Sequence, residues 1–132
     1  MELRKKKVIK AKTKKLINSF KYALEGIATS FKTETNMKIH ILMTILVLIL
    51  GLFLKISKME WITCIFAITM VISAELFNTA IETIVDMITI EKNEKAKIAK
   101  DVSAGAVLVT AIGAAVVGLI IFVPKIIELG EL

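Results

Sequence analysis

Trp61-Ile-Thr-Cys-Ile-Phe-Ala-Ile-Thr-Met70-Val-Ile-Ser-Ala-Glu75-Leu-Phe-Asn78-Thr79-Ala-Ile-Glu82-Thr-Ile-Val-Asp86 decides how this chain folds. From Trp61 to Ala74 it is uncharged and apolar. From Glu75 on it keeps a helical pattern but acquires acids. At about 100° per residue, Glu75, Asn78, Thr79, Glu82 and Asp86 fall within about 100° of one another, while Leu76, Phe77, Ile81, Ile84 and Val85 cover the remainder. The segment reads as a membrane helix, 61–89, with a polar stripe entering from one end.

Two further apolar runs flank it. Residues 39–56, at about 1.5 Å per residue, nearly cross a hydrocarbon core of about 30 Å, and Lys55 can snorkel at their far end. Residues 102–123 are rich in Ala, Gly and Val, with Gly105, Ala106, Gly113, Ala114 and Gly118 permitting close helix approach. Pro124 is expected to end this span, and 125–132 carries no chemistry. Ser57 to Glu60 reads as a turn with Glu60 solvated, and Trp61 suits the membrane interface. Before the first span, Leu16, Phe20, Ala23, Leu24, Ile27 and Phe31 recur at helical spacing, which predicts an amphipathic surface helix over 16–37 behind a basic tail, 1–15. The expected architecture is all-α: one membrane-embedded domain over 1–132, with three transmembrane helices and one N-terminal surface helix.

Composition agrees. Of 132 residues, 56% are hydrophobic and 23% charged, and the mean hydropathy of +0.76 is too high for an ordinary soluble domain. One cysteine excludes an internal disulfide and a Cys-rich metal site. Cys64 reads as a small packer, and His40 as a structural residue at the start of the first span. Fifteen Lys and Arg fall on the side holding the N-terminus and the 90–101 loop, against three on the other. By the positive-inside rule the N-terminus is cytoplasmic and the C-terminus outside. No signal peptide is visible. Lys5-Lys6-Lys7 reads as a solvated, topology-setting anchor, and the net charge of +6 suits anionic lipid headgroups. No nucleic-acid motif competes with that reading.

The stripe admits several readings. Its residues can be packing glue between helices, though three acids are costly in that role, or an ion or proton pathway, which intramembrane acids often mark. They can also form a metal–phosphate site, because carboxylates are hard ligands for Mg²⁺ beside substrate phosphates, with Lys100 and Asp101 near the same membrane face. Glu75 and Glu82 are about 10 Å apart along the axis, so distinct roles suit them better than a shared ion. Such a face needs enclosing, which predicts an oligomer.

Glu75-Leu-Phe-Asn78-Thr79-Ala80-Ile81-Glu82-Thr-Ile-Val85-Asp86 resembles the E-x-x-N-S/T-A-I/L-E-x-x-V-D signature of the prokaryotic diacylglycerol kinase family. Ala99-Lys100-Asp101, followed by Ala104-Gly105-Ala106-Val107-Leu108, is similar to its second block. Lys32-Thr33-Glu34-Thr35-Asn36-Met37-Lys38-Ile39-His40 resembles the K-T-E-x-N-x-R/K-I-H segment of its Gram-positive, undecaprenol kinase branch. The resemblance covers roughly 15–123 and implies a homotrimer in the plasma membrane, with active sites shared between neighbours at the cytoplasmic interface. It implies ATP as phosphoryl donor, Mg²⁺ as cofactor, and a membrane lipid alcohol as acceptor, either undecaprenol (giving undecaprenyl phosphate) or diacylglycerol (giving phosphatidic acid). Position by position, Glu75 matches the catalytic base beside the lipid hydroxyl, Asn78 the active-site Asn, and Glu34 and Glu82 the metal ligands. Lys15, Tyr22, Asp86, Glu91, Lys92, Asn93, Lys100 and Asp101 match nucleotide contacts, together with Glu34 and Glu82. Asn93 stands where many relatives have His, and Lys15 where many have Arg.

Phosphoryl transfer asks for positioning and charge neutralisation, which such residues can supply. No Gly-rich phosphate loop is present. The alternative is a small cation or drug transporter using Glu75 as its coupling acid, although such proteins usually carry paired or inverted spans. A non-catalytic membrane-assembly protein fits the composition alone.

Overall fold

In the computed structural model, which describes residues 1–89, 91 and 93–131, the chain forms α1 (Glu2–Thr33), α2 (Thr35–Phe53), α3 (Lys58–Ile88) and α4 (Glu94–Gly130). Residues 1–33 make one compact unit, and the chain from Glu34 onward a second.

The first unit is the single helix α1. The basic stretch expected as a tail is helical from Glu2, and the helix stops at Thr33 rather than at 37. Its first half is built largely from Lys, Arg, Ala and Leu, which are good helix formers, with no Gly or Pro before Gly26. Leu16, Phe20 and Leu24 are exposed.

In the second unit, α2, α3 and α4 are each long and apolar enough to cross a membrane. With 19 residues, α2 is about 28 Å long and matches a hydrocarbon core of about 30 Å. With 31 residues, α3 reaches about 46 Å and must overhang it. α3 packs against both α2 and α4. Leu42, Leu52, Phe66, Leu108, Val109 and Leu119 are exposed, apolar side chains that suit lipid contact better than water. Hydroxyls that would be stranded there bond back to their own helix: Thr44 to the His40 carbonyl, Thr63 to Met59, and Thr79 to Glu75.

The α2–α3 turn is tightly specified. The Ile56 N–H donates to the Gly51 carbonyl and the Lys55 N–H to that of Leu52, the paired bonds of a Schellman ending. Lys55 takes the left-handed position that ending requires, with φ 49°. Ser57 then caps α3: its hydroxyl accepts from the Glu60 N–H at 3.3 Å, and the Glu60 carboxylate accepts from the Ser57 N–H at 2.6 Å. Glu60, expected to be solvated, also meets Lys125 Nζ at 3.3 Å. That contact bears on a second difference. Pro124 does not end α4 but lies inside it. Proline removes one N–H and crowds the carbonyl four residues earlier, yet the turn beyond it is tethered to α3 through Lys125.

Between these helices, at the Trp61 end, Ile56, Cys64, Ile121 and Phe122 form the apolar core, with Val47, Leu50, Trp61 and Val117 packed around it. Gly51 is required here: a Cβ would lie 2.7 Å from the Trp61 ring. Gly51→Ala is expected to lower stability by about 1–3 kcal/mol through overpacking, whereas Gly26→Ala, whose Cβ meets nothing within 4 Å, should leave it unchanged or higher. Thermal melts of both variants in detergent check this.

Candidate active site

The stripe of α3 descends from buried to exposed along the helix. Glu75 is fully buried and Asn78 is 4% exposed; Glu82 is half-buried and Asp86 exposed. At about 1.5 Å per residue, Glu75 lies about 21 Å from Trp61 and still within a bilayer-thick core, while Glu82 lies near its far boundary. Both Glu75 carboxylate oxygens are shielded from solvent with no hydrogen-bond partner among the described residues. A carboxylate in that condition is costly, and such sites are retained where the group has chemistry to do.

Around it the second unit gathers polar groups from all three helices. Asn78 Nδ2 donates to Glu82 Oε1 at 3.2 Å. On the other side, Ser103 Oγ donates to Asn78 Oδ1 at 2.7 Å, joining α3 to α4 in a buried contact. One turn nearer the start of α4, Lys100 Nζ pairs with Asp86 Oδ1 at 2.5 Å. Glu34 occupies the extended residue between α1 and α2, and its side chain does not cap the helix it precedes. Among the described residues no group of three His, Cys, Asp or Glu side chains is close enough to hold a metal ion.

Other expected contacts are placed differently. Asp101 pairs with Lys97 on the exposed side of α4. Asn93 is the N-cap of α4, its Oδ1 accepting from the N–H groups of Lys95 and Ala96 at 2.9 and 3.2 Å. The N–H of Glu91 donates to Thr89 Oγ1 in the preceding turn. Lys92 lies outside the described residues. Lys15 and Tyr22 are exposed on α1, in the first unit.

A crevice of about 230 Å³ opens beside Asn78, lined by Asn36, Ile39, His40, Ala104, Val107, Leu108 and Ala111. Asn36, His40 and Asn78 contribute its polar groups, and the rest of the lining is apolar. His40, expected to be merely structural, faces it. Ser103 was not among the expected site residues. Its signal was a lone hydroxyl three residues after Lys100, on the face that continues to Val107, in a run otherwise of Ala, Gly and Val.

A buried acid at bilayer depth, on the same helix as the Asn78 that lines a mostly apolar crevice, suits a protein acting on a substrate dissolved in the bilayer. The sequence profile described as prokaryotic diacylglycerol kinase matches residues 21–122. The chain is 41% identical over 112 residues to an undecaprenol kinase of Bacillus subtilis, covering 85% of this chain and 91% of that one. It is 37% identical over 94 residues to a diacylglycerol kinase of Haemophilus influenzae (71% and 80% covered), and 36% identical over 115 residues to a diacylglycerol kinase of Synechocystis (86% and 66% covered). The chain belongs to the prokaryotic diacylglycerol kinase family and is a membrane-embedded lipid kinase. Membership implies ATP and a lipid alcohol as substrates and does not favour the transporter reading.

The two α3–α4 contacts differ in burial, and so in weight. Asn78→Ala removes both bonds of a buried amide and is expected to lower stability by about 1–2 kcal/mol. Asp86→Asn breaks a largely exposed pair and should change it by less than about 1 kcal/mol. Melts of the two variants in one detergent decide between this order and its reverse.

Proposed function

We propose that this enzyme transfers the γ-phosphoryl group of ATP to undecaprenol, giving undecaprenyl phosphate, with diacylglycerol as the competing acceptor. The observation that carries the reading is Glu75: a carboxylate at bilayer depth, buried and without a donor among the described residues, one turn along α3 from Asn78, which lines a mostly apolar crevice. The preference for undecaprenol is supported by the greater identity to the Bacillus subtilis enzyme and by the Lys32–His40 segment, from which Asn36 and His40 line that crevice.

In this proposal the acceptor hydroxyl enters from the bilayer and Glu75 takes its proton as the oxygen attacks the γ-phosphorus. The new O–P bond forms as the bond to the β-phosphate oxygen breaks, and ADP leaves. Asn78 holds Glu82 in place. Glu34 and Glu82 supply the carboxylate oxygens that Mg²⁺ accepts alongside phosphates, and the ion, when bound, neutralises phosphate charge. Hydrated Mg²⁺ needs only one or two protein carboxylates, so a set smaller than three is compatible with that use. Lys100 meets phosphate by exchanging its partner Asp86, and Lys15, Tyr22, Glu91, Lys92, Asn93 and Asp101 contribute to the nucleotide surface. α1 lies on the cytoplasmic face of the plasma membrane, its cations against anionic headgroups. The N-terminus and active site are cytoplasmic and the C-terminus outside. A homotrimer completes the enclosure of the polar face that one thin bundle leaves half open.

Purified protein with Mg-ATP should phosphorylate undecaprenol faster than diacylglycerol in the same detergent; the opposite ranking would reverse the acceptor assignment, and no lipid phosphate from either would sink the proposal. Glu75→Gln should reduce kcat by about 10²–10⁴ with the oligomer unchanged by size-exclusion chromatography. Full activity in that variant removes Glu75 from the role of base.

A further inference from the structure

Asn78 touches two partners, and the chemistry of one dictates the other. The Glu82 carboxylate can only accept, so the amide must present Nδ2 to it, as observed at 3.2 Å. Oδ1 is thereby turned toward α4 and needs a donor there. Ser103 Oγ, 2.7 Å away, belongs to a residue only 6% exposed, so bulk water does not substitute for it.

The same hydroxyl lies 2.9 Å from the Lys100 carbonyl. It has one hydrogen and two acceptors in reach. The Lys100 carbonyl sits inside α4, where the helical ladder supplies another donor; Asn78 Oδ1 has no other side-chain donor among the described residues. Resting on the lipid-kinase reading above, we infer that Ser103 is a positioning residue: by donating to Asn78 Oδ1 it locks the amide that holds Glu82, and it ties that lock to the turn of α4 carrying Lys100. Without the hydroxyl, Oδ1 is orphaned in a buried site, the amide is released, and the Glu82 carboxylate is no longer aimed. Since Glu82 and Lys100 both serve the nucleotide side, the loss falls on Mg-ATP and not on the lipid.

Ser103→Ala and Ser103→Thr separate this from a packing role. In Ser103→Ala, the Kd for a Mg-bound non-hydrolysable ATP analogue, measured by calorimetry, and the KM for Mg-ATP should both rise about five- to tenfold. The KM for undecaprenol should stay at the wild-type value, and Ser103→Thr should restore the nucleotide constants to within about twofold. A wild-type Kd in Ser103→Ala overturns the inference, even if that variant melts at a lower temperature. Should Ser103→Ala fail to assemble, Ser103→Cys, similar in shape but a weak donor, serves in its place: a raised Kd supports the inference and an unchanged one overturns it. Wild-type protein that binds the analogue normally but phosphorylates no lipid would instead sink the lipid-kinase reading.

Discussion

A carboxylate held inside a bilayer, with no donor beside it among the described residues, is the constraint that the rest of the structure accommodates. Hydrocarbon offers no water to solvate Glu75, so the acid must be screened by protein. Burial of Glu75 sets which face of α3 turns inward, and that choice carries Asn78 and Glu82 with it, because residues three and four apart share a helix face. α4 answers with Ser103 at the depth of Asn78 and Lys100 at the depth of Asp86. The polar contacts between α3 and α4 at this end of the bundle thus lie on the face that buries Glu75.

The two ends of the bundle divide stability from chemistry. At the Trp61 end the core is apolar, with a capped α3, a close approach at Gly51 and the Glu60–Lys125 tether. At the other end the buried positions near Asn78 are mainly polar: Glu75, Asn78 and Ser103. Between helices in lipid the hydrophobic effect contributes little, and packing and hydrogen bonds decide association. A well-packed end therefore lets the opposite end keep an unsatisfied acid and an open crevice, features that work against stability and serve a reaction.

Much of this was legible in the chain. Three apolar runs of bilayer length predict three membrane helices, and the 3.6-residue period alone puts Glu75, Asn78, Glu82 and Asp86 on one face. Helix ends were less legible. Pro124 signals a stop, yet α4 passes through it, and the turn beyond carries Lys125 to Glu60, a partner far away in sequence. The cationic start of α1 signals a tail, yet its residues have high helix propensity and form one continuous helix as far as Thr33. Asn93 reads as a nucleotide contact from its place in the family pattern, whereas locally it is a helix cap, because side-chain oxygens at a first turn find free N–H groups beside them.

By itself the sequence determined the spans, the polar face and the family, since each is written in local periodicity and in contiguous motifs. The tertiary structure alone decided which residue of α4 meets Asn78 and that Asn36, His40 and Asn78 share a crevice. Those facts depend on how far each helix is rotated and slid along its neighbour. No local pattern encodes that; it is settled by the packing of side chains more than twenty residues apart.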